Sequence, residues 1–217
     1  MPDWKMILLF VAAGVTAYLI SGLNPAIILS KIIYHEDIRE KGSGNPGFTN
    51  FKRVFGSRYA WYVFVLDILK SVLPCLLFAW LFGHFYGMWQ IGAAYTGLMS
   101  MLGHVFPVWY GFKGGKGFLV LVGAVYVIDW RAGLIATGIF LLLLFTVKYM
   151  SLSSICFAIA APIAYAIFGP DHWSALVMLI ICSLILIIRH HENIGRLLHG
   201  TESKFRLGGG KKAGGKE

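Results

Sequence analysis

Three polar, glycine-rich stretches interrupt an otherwise apolar chain, and they hold most of the residues able to act on an anion. The first, GSGNPGFTN from Gly42, runs on into Lys52 and Arg53. Three glycines, a proline and two asparagines within nine residues forbid a regular helix and favour a tight turn that presents backbone N–H groups. A run of such donors makes a concave nest for an anion, so Ser43, Gly44, Asn45, Gly47 and Asn50 are candidate binding residues, with Thr49 and Arg53 as further donors. The competing reading is a plain connecting loop with solvated charges.

The second stretch, GHVFPVWYGFKGGKG, spans Gly103 to Gly117. Its aromatic half suits a membrane interface, and Lys113, Gly114, Gly115 and Lys116 then offer a backbone able to close on a ligand together with two positive charges. It is not a nucleotide-triphosphate loop, because Tyr110 stands where the first glycine is required and Gly117 where the Ser or Thr is required. His104 reads as a satisfied histidine at a helix end. The third stretch, RHHENIGRLLHGTESK from Arg189, places His190, Asn193 and Leu197 at i, i+3, i+7 on one helical face. That spacing aims an imidazole and a carboxamide into one cavity, and an ordinary interfacial helix is the alternative. Ser151, Ser153 and Ser154 mark a further helix boundary, as caps or phosphate contacts.

Arg53, Lys113, Lys116 and Arg196, with few acids beside them, suit phosphate, and more than one phosphate. No paired carboxylates, G-x-S-x-G, HExxH or acidic metal cluster accompany them, so a protein nucleophile, a glycosidase pair and a zinc mechanism lack candidates. Positioning and electrostatics remain as the chemistry on offer.

The elements that position these loops are set by composition. Of 217 residues, 58% are hydrophobic and 13% charged, with mean hydropathy +0.71. Soluble domains average about 45–50% apolar and about 25% charged, so a water-soluble enzyme, a disordered chain and a disulfide scaffold are all excluded. Seven apolar segments follow, near residues 6–33, 59–83, 89–110, 118–128, 132–147, 155–168 and 173–188, the fourth too short to span unaided. The expected fold is therefore an all-α integral membrane protein of about seven transmembrane helices, with five or six as the alternative. Sixteen of the 19 Lys and Arg residues fall on the side of the loops after the first, third and fifth segments and of the C-terminus. Cationic loops stay in the cytoplasm, which puts the N-terminus outside, the C-terminus inside, and all three stretches on the cytoplasmic face. A net charge of +9 in so apolar a chain points to anionic lipid rather than nucleic acid. Cys75, Cys156 and Cys182 lie within apolar runs and suggest neither disulfide nor metal. Asp67 and Lys70 share a face inside the second segment and read as a structural ion pair. Residues 1–206 form one transmembrane catalytic domain in this reading, and 207–217 a disordered basic tail.

GSGNPGFTNFKRVFG, GHVFPVWYGFKGGKG and RHHENIGRLLHGTESK resemble, in order and spacing, the three cytoplasmic signatures of the bacterial acyl-phosphate-dependent glycerol-3-phosphate acyltransferases, the PlsY family. DILKS, from Asp67, resembles that family's acidic-x-x-Lys segment. The resemblance covers nearly the whole chain. It implies a multi-pass enzyme of the bacterial inner membrane, active on its cytoplasmic face, that needs no metal or other cofactor. The reaction it implies moves a fatty acyl group from acyl phosphate to the 1-hydroxyl of glycerol 3-phosphate, giving lysophosphatidic acid and phosphate. Its partners are those two substrates, the lipid bilayer and a soluble enzyme that supplies acyl phosphate, with no nucleic acid. By resemblance Ser43, Arg53 and Lys116 handle phosphate, His190 and Asn193 bind substrate, and Ser151 matches the serine of the fifth loop. Phe48 and the run Phe118, Leu119, Val120 are bulkier than the family pattern and leave acyl-length preference open. Either the leaving phosphate or His190 takes the hydroxyl proton. An organophosphate or anion permease and a structural scaffold are the rival functions.

Overall fold

The computed structural model describes residues 3–205, so the basic tail expected at 207–217 lies outside the described residues. Within them every regular element is helical: α1 (Trp4–Gly22), α2 (Pro25–Tyr34), α3 (Phe48–Phe55), α4 (Ser57–Tyr86), α5 (Trp89–Val105), α6 (Phe118–Ile128), α7 (Trp130–Thr146), α8 (Met150–Ile167), α9 (Trp173–Arg189) and α10 (His191–Leu198). Each of the seven apolar segments is mainly helical, with breaks inside the first at Leu23–Asn24 and inside the third at Phe106–Pro107. Asn24 caps α2 by accepting from the Ile27 N–H at 3.1 Å, and Pro25 occupies the first helical position, where its missing N–H costs nothing. Gly56, at φ 84°, separates α3 from α4, and Pro107 stops α5.

Trp4–Tyr34, Ser57–Tyr86, Trp89–Tyr110 and Met150–Ile167 are long and apolar enough to cross a membrane. Trp173–Arg189 with His191–Leu198 makes a fifth if that pair, bent by 56°, counts as one span. Phe118–Ile128 and Trp130–Thr146 are apolar but shorter, so length and composition carry four or five crossings where the apolar pattern suggested about seven. The third polar stretch departs from one continuous helix in the same place: its bend falls at His190, between α9 and α10.

In hydrocarbon the helices gain little from burying apolar surface and rely on close approach. Small residues provide it. A Cβ on Gly103 would lie 2.2 Å from the Tyr18 carbonyl oxygen, which draws α5 against α1, and one on Gly97 would lie 2.7 Å from Ala124 Cβ, which draws α5 against α6. The short α6 sits at the centre, burying Val120, Leu121, Gly123, Ala124 and Val125. Side chains such as Leu142, Ile167 and Ile188 face outward on the bundle's exterior, where lipid would take the place of core. One buried ion pair crosses the interior, with Lys70 Nζ 2.9 Å from Asp67 Oδ1, as the i, i+3 spacing requires.

Candidate active site

The C-terminal end of α5 builds the first wall. Tyr18 donates to the Phe106 carbonyl at 2.6 Å and Trp109 Nε1 to the Leu19 carbonyl at 3.0 Å, which pins the aromatic approach to α1. The chain then doubles back. The N–H of Gly114 donates to the Val105 carbonyl and that of Gly115 to the His104 carbonyl, each at 3.2 Å. These two glycines were expected to turn their N–H groups to a ligand. Both donors are instead committed to α5, and the missing side chains permit that approach: a Cβ on Gly114 would sit 2.0 Å from the His104 carbonyl oxygen. Lys113 remains on the surface, whereas Lys116 turns inward.

The first loop is likewise tied to itself. The Asn50 carboxamide accepts from the Ser43 N–H at 2.9 Å and donates to the carbonyl of Lys41 at 2.9 Å and that of Ile38 at 3.4 Å. Gly44 donates to Lys41 and Gly47 to the Asn45 carbonyl. The open nest expected at Ser43, Gly44, Asn45, Gly47 and Asn50 is thus largely closed by internal bonds, and Asn50 acts as its clasp. Asn24, which the sequence reading passed over, donates to the Pro46 carbonyl at 3.0 Å and anchors the loop to the α1–α2 break.

The third stretch meets the second at Lys116, whose ammonium donates to Asn193 Oδ1. Asn193 Nδ2 donates to Glu202 Oε1 at 2.7 Å, Ser151 Oγ donates to the same oxygen at 2.7 Å, and Arg196 Nε donates to Oε2 at 2.7 Å. Arg53 reaches the same segment, donating to Ser203 Oγ at 3.1 Å. Loops more than a hundred residues apart therefore converge, with Lys116, Arg53, Ser151, Asn193 and Arg196 around one short segment. Glu202 was not anticipated, and its only signal was an isolated acid in a basic stretch.

Electrostatics follow from burial. Desolvation, reinforced by the Arg196 charge, lowers the Lys116 ammonium to about 8. Burial raises the Glu202 carboxyl, but donation from Ser151, Arg196 and Asn193 outweighs it and holds the group below its ordinary value. His190 is pushed down to about 4 by burial, against the opposing pull of its bond to Leu186. Its Nδ1 lies 2.8 Å from the Leu186 carbonyl oxygen. A carbonyl only accepts, so Nδ1 carries the proton and Nε2 is the acceptor of a neutral ring.

The family model for glycerol-3-phosphate acyltransferase matches residues 11–200. The chain belongs to the glycerol-3-phosphate acyltransferase family. Among curated members, the protein of Thermoanaerobacter pseudethanolicus is 41% identical over 195 residues, covering 90% of this chain and 95% of its own length. That of Photobacterium profundum is 36% identical over 189 residues, covering 87% and 89%. The crystal structure of PlsY, an integral membrane glycerol 3-phosphate acyltransferase, in its glycerol 3-phosphate form superposes with a TM-score of 0.82 at 35% identity, covering 91% of this chain and 96% of PlsY. Its lysophosphatidic acid form gives 0.78 at 34% identity, covering 91% and 95%. The fold is accordingly that of an all-α, multi-pass integral membrane protein, and the family is one of acyltransferases.

Proposed function

We propose that this protein acylates the 1-hydroxyl of glycerol 3-phosphate with acyl phosphate as donor, releasing lysophosphatidic acid and phosphate. The observation that carries this reading is the gathering of Lys116, Arg53, Ser151, Asn193 and Arg196 at one end of an apolar bundle. Such a cage neutralises two phosphates while the acyl tail remains in lipid. Lys116, Arg53 and His190 are assigned to the reacting groups. Ser43, Gly44, Asn45, Gly47, Asn50, Lys113, Gly114, Gly115, Ser151 and Asn193 are assigned to substrate binding, the glycines and Asn50 by shaping the two loops.

The hydroxyl oxygen attacks the acyl carbonyl carbon, the bond from that carbon to the bridging phosphate oxygen breaks, and the departing phosphate takes the hydroxyl proton. Basicity favours phosphate over His190 as acceptor. A buried imidazole at about 4 is a weak base, whereas the departing inorganic phosphate is more basic than a phosphate ester, whose second ionisation lies at ~6. Its Nε2 also suits accepting a hydrogen bond from the glycerol hydroxyl, orienting the nucleophile. Lys116 and Arg53 stabilise the charge that collects on the leaving phosphate.

The basic loops support a site at the cytoplasmic face of the bacterial inner membrane with the N-terminus outside, because cationic loops stay in the cytoplasm. Residues 1–206 serve as one catalytic unit, and a soluble enzyme that makes acyl phosphate is the upstream partner. The deciding experiment uses detergent-solubilised protein, which has no compartment to transport across. Phosphate release from acyl phosphate should require glycerol 3-phosphate and yield lysophosphatidic acid. Equal or faster turnover with acyl-CoA or acyl carrier protein would overturn the donor assignment, and absence of acylation with all three would overturn the enzyme reading.

A further inference from the structure

The Asp67–Lys70 pair is more than the simple ion pair that its spacing suggests. Both side chains are buried, at 3% and 7% exposure for Asp67 and Lys70. Lys70 Nζ donates at 3.0 Å to the carbonyl of Leu23, the residue at the α1–α2 break, and the adjoining Asn24 holds the first site loop through Pro46. On the other side, His104 Nδ1 lies 3.8 Å from Asp67 Oδ1 and has no hydrogen-bond partner among the described residues, while that carboxylate oxygen is held by Lys70. A shift of under ~1 Å turns that approach into a hydrogen bond. The other edge of the same ring supports the second site loop, since a Cβ on Gly115 would fall 2.3 Å from His104 Nε2. Arg189 of α9 completes the surroundings, its Nη2 donating to the Gly114 carbonyl at 3.4 Å.

A buried ion pair is a poor way to hold helices together. Apolar replacements of similar volume are often neutral or stabilising, so stability alone does not explain charges at this depth. What the charges do here is connect. A hydrogen bond and an ion pair join Leu23, Lys70 and Asp67, and His104, close to Asp67 on one edge and packed against Gly115 on the other, carries the series of contacts from one site loop to the other.

We propose that His104, backed by Asp67 and Lys70, is a positioning residue for the GGKG loop, fixing Gly115 and thereby the depth and direction of Lys116. His104 touches no substrate in this proposal and acts through Lys116. The kinetic half of the argument rests on the acyltransferase reading above, and the labelling half does not.

The test compares wild type, His104→Leu and the apolar double substitution Asp67→Leu/Lys70→Met. The rate of Lys116 acetylation by acetic anhydride is followed by mass spectrometry as pH is varied, with surface Lys113 as internal reference. With the loop released, the Lys116 midpoint should rise from about 8 toward an ordinary lysine, by on the order of one unit. In the assay for glycerol 3-phosphate acylation, His104→Leu should lower kcat/KM by about tenfold in the wild-type background and by less than about twofold when Lys116 is already alanine. Unchanged Lys116 labelling in a folded variant overturns the proposal, as do equal fold-losses in both backgrounds. Failure of the apolar double variant to fold also overturns it, because the pair is then needed for the bundle itself. Inactive wild type would remove the acyltransferase reading and leave the labelling comparison to decide this one.

Discussion

Ser151 and Asn193 donate to the same oxygen, Oε1 of Glu202, each at 2.7 Å. One donor comes from the start of α8 and the other from α10, so a single carboxylate joins the two helices, while Arg196 holds its second oxygen. Glu202→Gln keeps the shape and removes the charge. Hydrogen bonds to charged groups are worth about 1.5–3 kcal/mol, so kcat/KM for glycerol 3-phosphate should fall roughly tenfold to hundredfold. Steady-state kinetics on a monodisperse variant checks this, and a change below twofold would show that the carboxylate has no part in aligning the donors.

Lys116 gives the reaction an alkaline limit. Its ammonium must be charged to stabilise the leaving phosphate, and burial with the Arg196 charge brings it down to about 8. A lowered lysine loses its proton as pH rises through that value, so log kcat/KM should decline above about pH 8. In Lys116→Arg, whatever activity survives should persist well beyond, because a guanidinium stays protonated. An identical alkaline limb in both proteins would assign the limb to another group.

Arg53 differs from Lys116 in lying at the surface and in its easily broken bond to Ser203. Arg53→Ala should reduce kcat/KM by on the order of 10²–10³, as removal of a transition-state donor does elsewhere. Arg53→Lys should recover only part, because an ammonium cannot reproduce a two-pronged contact to phosphate. Full activity of the alanine variant would take Arg53 out of the site.

Much of this site was legible in the sequence because its loops had to interrupt apolar runs, and charge in a greasy chain stands out. The pairing of Asp67 with Lys70 follows from helical spacing, whereas His190 and Asn193 are buried together across the bend between α9 and α10. The N–H groups of Gly114 and Gly115 were misread, because glycine's freedom to approach a ligand and its freedom to approach a helix leave the same trace. Asn24 was missed because its partner Pro46 lies 22 residues away, and Glu202 because Ser151 lies 51 away, although Asn193 and Arg196 are near it in the chain. No local pattern encodes such separations.

The first loop should be the part most sensitive to a neutral change. Asn50→Ala removes three loop bonds at once, and each buried group left unpaired costs about 1–3 kcal/mol. The expected result is faster proteolysis within residues 41–50 and a raised KM for glycerol 3-phosphate, with the bundle still folded. Wild-type proteolysis would show that the loop does not depend on its clasp.

Phe118 stacks on Phe140 with ring centroids 4.8 Å apart and meets Phe157 edge-on at 5.5 Å, directly after the loop that carries Lys116. Phe118→Val opens this aromatic corner, and the preferred acyl phosphate should lengthen relative to wild type in a competition among donors of different chain length. An unchanged preference would place the acyl tail along another face.

The brevity of α6 bears on how two ill-matched reactants find each other. Its 11 residues reach only about 17 Å, against a hydrocarbon thickness of roughly 30 Å. Trp89 and Trp130 lie beside its Asp129 end, as residues at a headgroup boundary do. The shortfall then falls at the opposite end, where the chain climbs to Trp109 and descends again to the level of His104 before α6 begins. In the proposed reaction such a recessed end lets a water-soluble phosphate descend to the depth of the acyl carbonyl while the fatty chain never has to leave the oil.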